Sequence, residues 1–150
     1  MKRTEPYTGP FPRKRHSHNT TTIDMFLASY IETALWSSHD MDESGKDIEL
    51  DSGEYELAPE TLTRFRTDCA DFEPKYDALV EAYNAGRDAA DCFTAHNGHP
   101  AHDFWLTRNG HGAGFWDGDY PEPLAMQLTD LAEMYGHCDL YIGDDGLIYC

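Results

Sequence analysis

Apolar residues recur at helical spacing in four stretches of the chain. Phe26, Leu27, Tyr30, Ile31, Ala34 and Leu35 form one face that Trp36 closes, which predicts a helix over residues 22–38. Thr22 is its expected N-cap, and Asp24 stands in the first turn, where the helix dipole favours an acid. Leu62, Phe65, Cys69 and Phe72 predict a second helix over 59–72, opened by Pro59. Tyr76, Leu79, Val80 and Tyr83 predict a third over 74–90, weakened near its end by Gly86. Leu124, Leu128, Leu131 and Met134 predict a last helix over 121–135, ended by Gly136.

The period is lost between these stretches. Residues 37–58, SSHDMDESGKDIELDSGEYELA, predict a long acidic loop. Residues 103–109, DFWLTRN, are rich in strand formers, and Phe115 and Trp116 resume a second strand beyond Gly110, Gly112 and Gly114. Residues 139–142 and 147–149 predict a hairpin around Gly143, Asp144, Asp145 and Gly146. Helices first and hairpins last imply the α+β class, with about four helices packed on a small antiparallel sheet of short hairpins.

Charge changes this picture most. Residues 1–20 hold Lys2, Arg3, Arg13, Lys14 and Arg15 against Glu5 alone, a balance of +4 within a chain of net charge −17. The remaining residues therefore carry −21. We expect a flexible basic arm over 1–20 followed by one acidic domain over 21–150. A body this acidic repels nucleic acid and anionic lipid over a Debye length of about 8 Å, and it favours a basic protein partner or a divalent cation. No stretch approaches the roughly 18 apolar residues of a membrane span, so no membrane partner is expected. The opening MKRTEPYTGPFPRKRH has no apolar core of a secretion signal. Cys69, Cys92, Cys138 and Cys150 fit no metal-ribbon spacing and are read as reduced thiols.

Three segments could carry chemistry. Asp40, Asp42, Ser44 and Gly45 imitate the start of a calcium loop, but its twelfth position is Asp51 and Gly53 and Pro59 interrupt the following helix. His96, His99, His102 and Asp103 form a candidate metal set, although Gly98 and Pro100 prevent one helix from aligning them. Arg108, Asn109, His111, Trp116 and Asp117 surround the glycine-rich turn and form the candidate functional surface, where backbone N–H groups can meet an anion and a His beside an Asp can move a proton. No phosphate-binding loop, dinucleotide fingerprint or nucleophile elbow is present, and no cofactor is implied.

The segments HDFWLTRNGHGAGFWD and CDLYIGDDGLIY, with IETALWSS and LAPETLTRFRTDCADF before them, resemble a group of small uncharacterised proteins of tailed bacteriophages and related mobile elements. The similarity covers about residues 23–149. It implies a phage or host-bacterial cytoplasmic setting, and it supplies no catalytic residue. The leading expectation is a non-enzymatic accessory protein that binds a host or phage protein through its acidic surface, as a DNA mimic or anti-defence inhibitor. The alternatives are a small metal-dependent enzyme or factor using residues 96–111, and a virion-associated structural component. The sequence leaves the oligomeric state open.

Overall fold

A computed structural model describes the backbone of residues 18–94 and 99–150, with side chains from Met25 onward. In chain order the elements are α1 (His18–Ser37), β1 (His39–Met41), β2 (Asp47–Glu49), β3 (Glu56–Leu57), α2 (Pro59–Asn84), α3 (Pro100–Arg108), α4 (Leu124–Glu133), β4 (Tyr141–Ile142) and β5 (Leu147–Tyr149). Four helices with two small sheets make an α+β fold, as the sequence pattern implies.

The sheets differ from expectation. β1 and β2 pair antiparallel inside what reads as a loop, with Asp40 opposite Ile48. The second sheet has the order β3-β5-β4 and is mixed: β3 runs parallel to β5, and β4 pairs with β5 antiparallel. Only the last hairpin was legible as a strand pair, because its turn residues sit between two short apolar runs.

Two helix boundaries change as well. The second and third predicted helices are one, α2, which carries Pro74 in its interior. The buried residues Thr61, Phe65, Cys69, Phe72 and Tyr76 keep one phase across the proline, so burial along a continuous face outweighs the lost backbone hydrogen bond. At the other end of the fold, α1 begins at His18, which places Thr22 inside the helix rather than at its N-cap.

The largest correction concerns residues 103–109, of which 103–108 are helical rather than extended and Asn109 is the C-cap. Pro100 occupies the first turn of α3, where its missing N–H costs nothing. Every residue from Asp103 to Arg108 is buried, so this helix is covered on all sides. A buried helix shows no amphipathic period, and a short apolar run then reads equally well as a strand. Phe115 and Trp116 lie in the irregular segment that follows.

α3 packs between α1 and α4, and α2 closes the bundle against α1 and α4. The centre is aromatic. Phe72 stacks on Phe104 at 3.9 Å between ring centroids, and Tyr30 meets Phe65 and Trp105 edge-on at 5.1 and 5.3 Å. The mixed sheet docks on the start of α2, where the Ala58 N–H and the Thr61 hydroxyl both donate to the Ile148 carbonyl, at 2.9 Å each. No helix among the described residues is long and apolar enough to cross a membrane.

Candidate functional site

The five residues expected to form one functional surface do not converge. Arg108 is interior. Its side chain donates from Nε to the Gly136 carbonyl at 2.8 Å, from Nη1 to the Tyr30 hydroxyl at 2.8 Å and Asp68 Oδ2 at 2.7 Å, and from Nη2 to the Tyr135 carbonyl at 2.9 Å. Burial opposes its charge, but Tyr30 and Asp68 outweigh burial and hold its pKa above the ordinary value. Asn109 is a second brace: its Oδ1 accepts from the Cys138 N–H at 2.7 Å and its Nδ2 donates to the Trp105 carbonyl at 3.0 Å. Together they tie the end of α3 to the segment after α4.

His111, Trp116 and Asp117 do reach the surface. Trp116 is 53% exposed. Asp117 Oδ2 accepts the Gly114 N–H at 3.3 Å, which closes the turn on itself. Gly114 is required there, because a Cβ at this position would overlap the Thr107 hydroxyl that receives the Phe115 N–H. The turn is therefore built inward, around Thr107, and Gly114 serves its packing.

The candidate metal set is divided. His96 lies outside the described residues. His99 is exposed, and its ring centroid stands 6.1 Å from that of His102. His102 stacks on Trp36 at 5.6 Å, and its Nδ1 is 3.4 Å from Asp103 Oδ1. Asp103 itself points into the protein, and burial raises its pKa against the opposing pull of His102. Among the described residues, no group of three His, Cys, Asp or Glu is arranged to hold a metal ion.

Behind Asp103 lies a polar cluster that the sequence did not reveal. Tyr120 neighbours both Tyr76 and Asp103, yet the Tyr76 and Tyr120 hydroxyls and Glu73 Oε2 have no hydrogen-bond partner among the described residues. Burial raises the pKa of Tyr76 and of Tyr120, and that of Glu73 with help from Asp77. Tyr76, Asp103 and Tyr120 come from three parts of the chain, so no local motif signals them.

The calcium-loop reading is replaced by a turn. The Asp42 carboxylate accepts the Ser44 N–H at 2.8 Å, the Ser44 hydroxyl and the Lys46 N–H at 3.0 Å, and the Ser44 contact leads in lowering its pKa. Asp40 Oδ2 accepts the Ile142 N–H at 2.9 Å and so ties β1 to the second sheet. These oxygens satisfy backbone donors and do not converge on a cation.

What the hairpin does present is charge. Nine acids and one lysine lie between positions 40 and 60. Asp42, Glu43, Asp47, Glu49, Asp51, Glu54 and Glu56 are all exposed. Two clefts border them. One, of about 770 Å³, has Ile31, Leu35 and Leu50 in its wall and Glu32 and Asp51 at its edge. The other, of about 490 Å³, is lined by Asp42, Asp47, Glu49 and Glu54 with Lys46. Tyr55 belongs to both. Ile31 and Leu35 read from sequence as core positions, and their half-exposed state gave no periodic signal of its own.

One expectation about cysteine is corrected. Cys138 and Cys150 form a disulfide with Cα atoms 5.5 Å apart, while Cys69 and Cys92 are free. Pairing of Tyr141 with Tyr149 brings the two cysteines together, and the bare spacing of cysteines cannot show this. No protein-family model, curated protein or solved structure matches the chain.

Proposed function

We propose that this chain is a non-enzymatic accessory protein, in the phage or mobile-element setting that the resemblance implies, which binds a basic protein through the acidic face of β1, β2 and residues 50–56. The observation that carries this reading is the concentration of exposed acids there, with one lysine among them. Four of the other five bases of the body, all but Arg66, are held locally. Lys75 pairs with Asp71 at 2.8 Å, Arg64 approaches Asp68 at 3.9 Å, Arg87 lies over the Tyr83 ring at 4.1 Å, and Arg108 is buried. The acidic field is therefore left uncompensated, and such a field steers a cationic partner and rejects nucleic acid.

In the sharper form of this proposal, the carboxylates stand where DNA phosphates would, and the partner is a host nuclease or DNA-binding factor in the bacterial cytoplasm. The test is capture of partners from producing bacteria at low and moderate salt, followed by competition with duplex DNA. A basic protein released as salt rises, and displaced by DNA, is the expected result. Failure of DNA to compete with any captured protein rejects the mimicry. Absence of any basic partner rejects the reading as a whole.

A further inference from the structure

We propose that residues 1–17 of this chain fold back along α1 and occupy the apolar cleft beside it, with Lys2 and Arg3 over the adjoining acidic cleft, so that the arm is a built-in competitor for the basic partner. This rests on the reading of the acidic face as a binding surface, and it adds the regulation of that face.

Composition is the first argument. The apolar cleft calls for an aromatic or aliphatic anchor, and its edge acids Glu32 and Asp51 call for cations. The second cleft offers the carboxylates of Asp47, Glu49 and Glu54 to a cation, with Asp42 held in its turn, against one lysine. Residues 1–17 hold Tyr7 and Phe11 with Lys2, Arg3, Arg13, Lys14 and Arg15, against Glu5 alone. No other stretch of this length in the chain is comparably basic.

Reach is the second argument. At 1.5 Å per helical residue, Ile31 lies about 20 Å along α1 from His18. Phe11 precedes His18 by seven residues, which span at most about 25 Å when extended. An arm returning along the helix can therefore lay Phe11 over Ile31 and the neighbouring Leu35. Lys2 precedes His18 by sixteen residues and can travel about twice as far, enough to pass Tyr55 into the acidic cleft. Tethering supplies the arm at millimolar effective concentration, so weak ion pairs suffice to keep it engaged. At 1 M salt, where the Debye length falls to about 3 Å, the ion pairs weaken and the arm leaves.

The test is zero-length carbodiimide coupling of lysine to carboxylate in the full chain, read by peptide mass spectrometry. Mixing ¹⁵N-labelled and unlabelled protein separates links within a chain from links between chains. We expect Lys2 to couple to Asp47, Glu49, Asp51 or Glu54 of its own chain, and the links to be lost in 1 M NaCl. In Phe11→Ser, with the helical signal of the body unchanged, their yield falls at least about threefold, as loss of one apolar anchor requires. Lys2 links spread over distant acids such as Glu81 and Glu133, or no Lys2 links at all, overturn the proposal. Links mainly between chains overturn it too, and assign the cleft to a second copy. Because the coupling is read without any partner, its failure leaves the basic-partner reading standing. Coupling without any captured partner supports the docked arm while that reading falls.

Discussion

Arg108 shows how much one side chain decides. Its four hydrogen bonds join Tyr30, Asp68 and the carbonyls of Tyr135 and Gly136, so three separate parts of the chain meet on one guanidinium. Removing one partner of a buried charged pair strands the others. Arg108→Ala should therefore cost about 3 kcal/mol or more in a urea melt, toward the lower end because Asp68 keeps some contact with solvent. His111→Ala should stay within about 0.5 kcal/mol of the parent, since its ring joins no such network among the described residues. Asp103 makes a prediction of opposite character. Burial raises its pKa, so the folded state binds a proton more tightly than the unfolded state. Its contribution is then fully present below the unfolded pKa and is lost as pH rises through the folded one. Compared with Asp103→Asn, the parent should lose stability as pH rises from about 4 toward neutrality, measured as the urea midpoint of both proteins. A difference independent of pH would show that Asp103 does not titrate in that window.

At the scale of elements, α2 and α3 explain most of what was readable and what was not. The phase of Phe65, Cys69, Phe72 and Tyr76 is legible across Pro74, yet local rules for proline break the helix there. Pro74→Ala should raise stability, on the order of 1 to 3 kcal/mol, since it restores an internal backbone hydrogen bond at no evident loss of packing. α3 failed as a sequence reading for the reverse reason: its full burial removed the polar face by which a helix is recognised. The β4–β5 hairpin was legible from its turn, and the Cys138–Cys150 bond it carries was not. Thiol titration in denaturant should count two reactive groups before reduction and four after it. For partners separated by 12 residues, reduction should lower stability by about 3 kcal/mol in the chain-entropy account.

At the scale of the whole molecule, net charge governs behaviour more than any single contact. With −21 on the body, self-repulsion opposes compaction. The thermal midpoint should therefore rise between about 10 and 200 mM NaCl, over which the screening length shortens from about 30 Å to below 10 Å. A falling midpoint would mean that local ion pairs such as Lys75–Asp71 outweigh the repulsion. The same acidity was plain in the sequence and motivated the binding reading, but its placement was not. Asp40 turns inward to the Ile142 N–H, Asp42 closes a turn, and Asp103 is buried, while Asp47, Glu49 and Glu54 line a cleft.

By itself, then, the sequence determined the class of the fold, the aromatic core face of the first helix, the final hairpin and the uneven charge, +4 over residues 1–20 and −21 over the rest. Each follows from periodicity, turn chemistry or composition, which act between near neighbours or sum over the chain. Tertiary structure alone decided that residues 103–108 are helical, that β3 lies parallel to β5, that Arg108 and Asn109 brace the interior, and that the acids flank two clefts meeting at Tyr55. These depend on which distant residues meet and which groups lose water in doing so, and no local pattern records that.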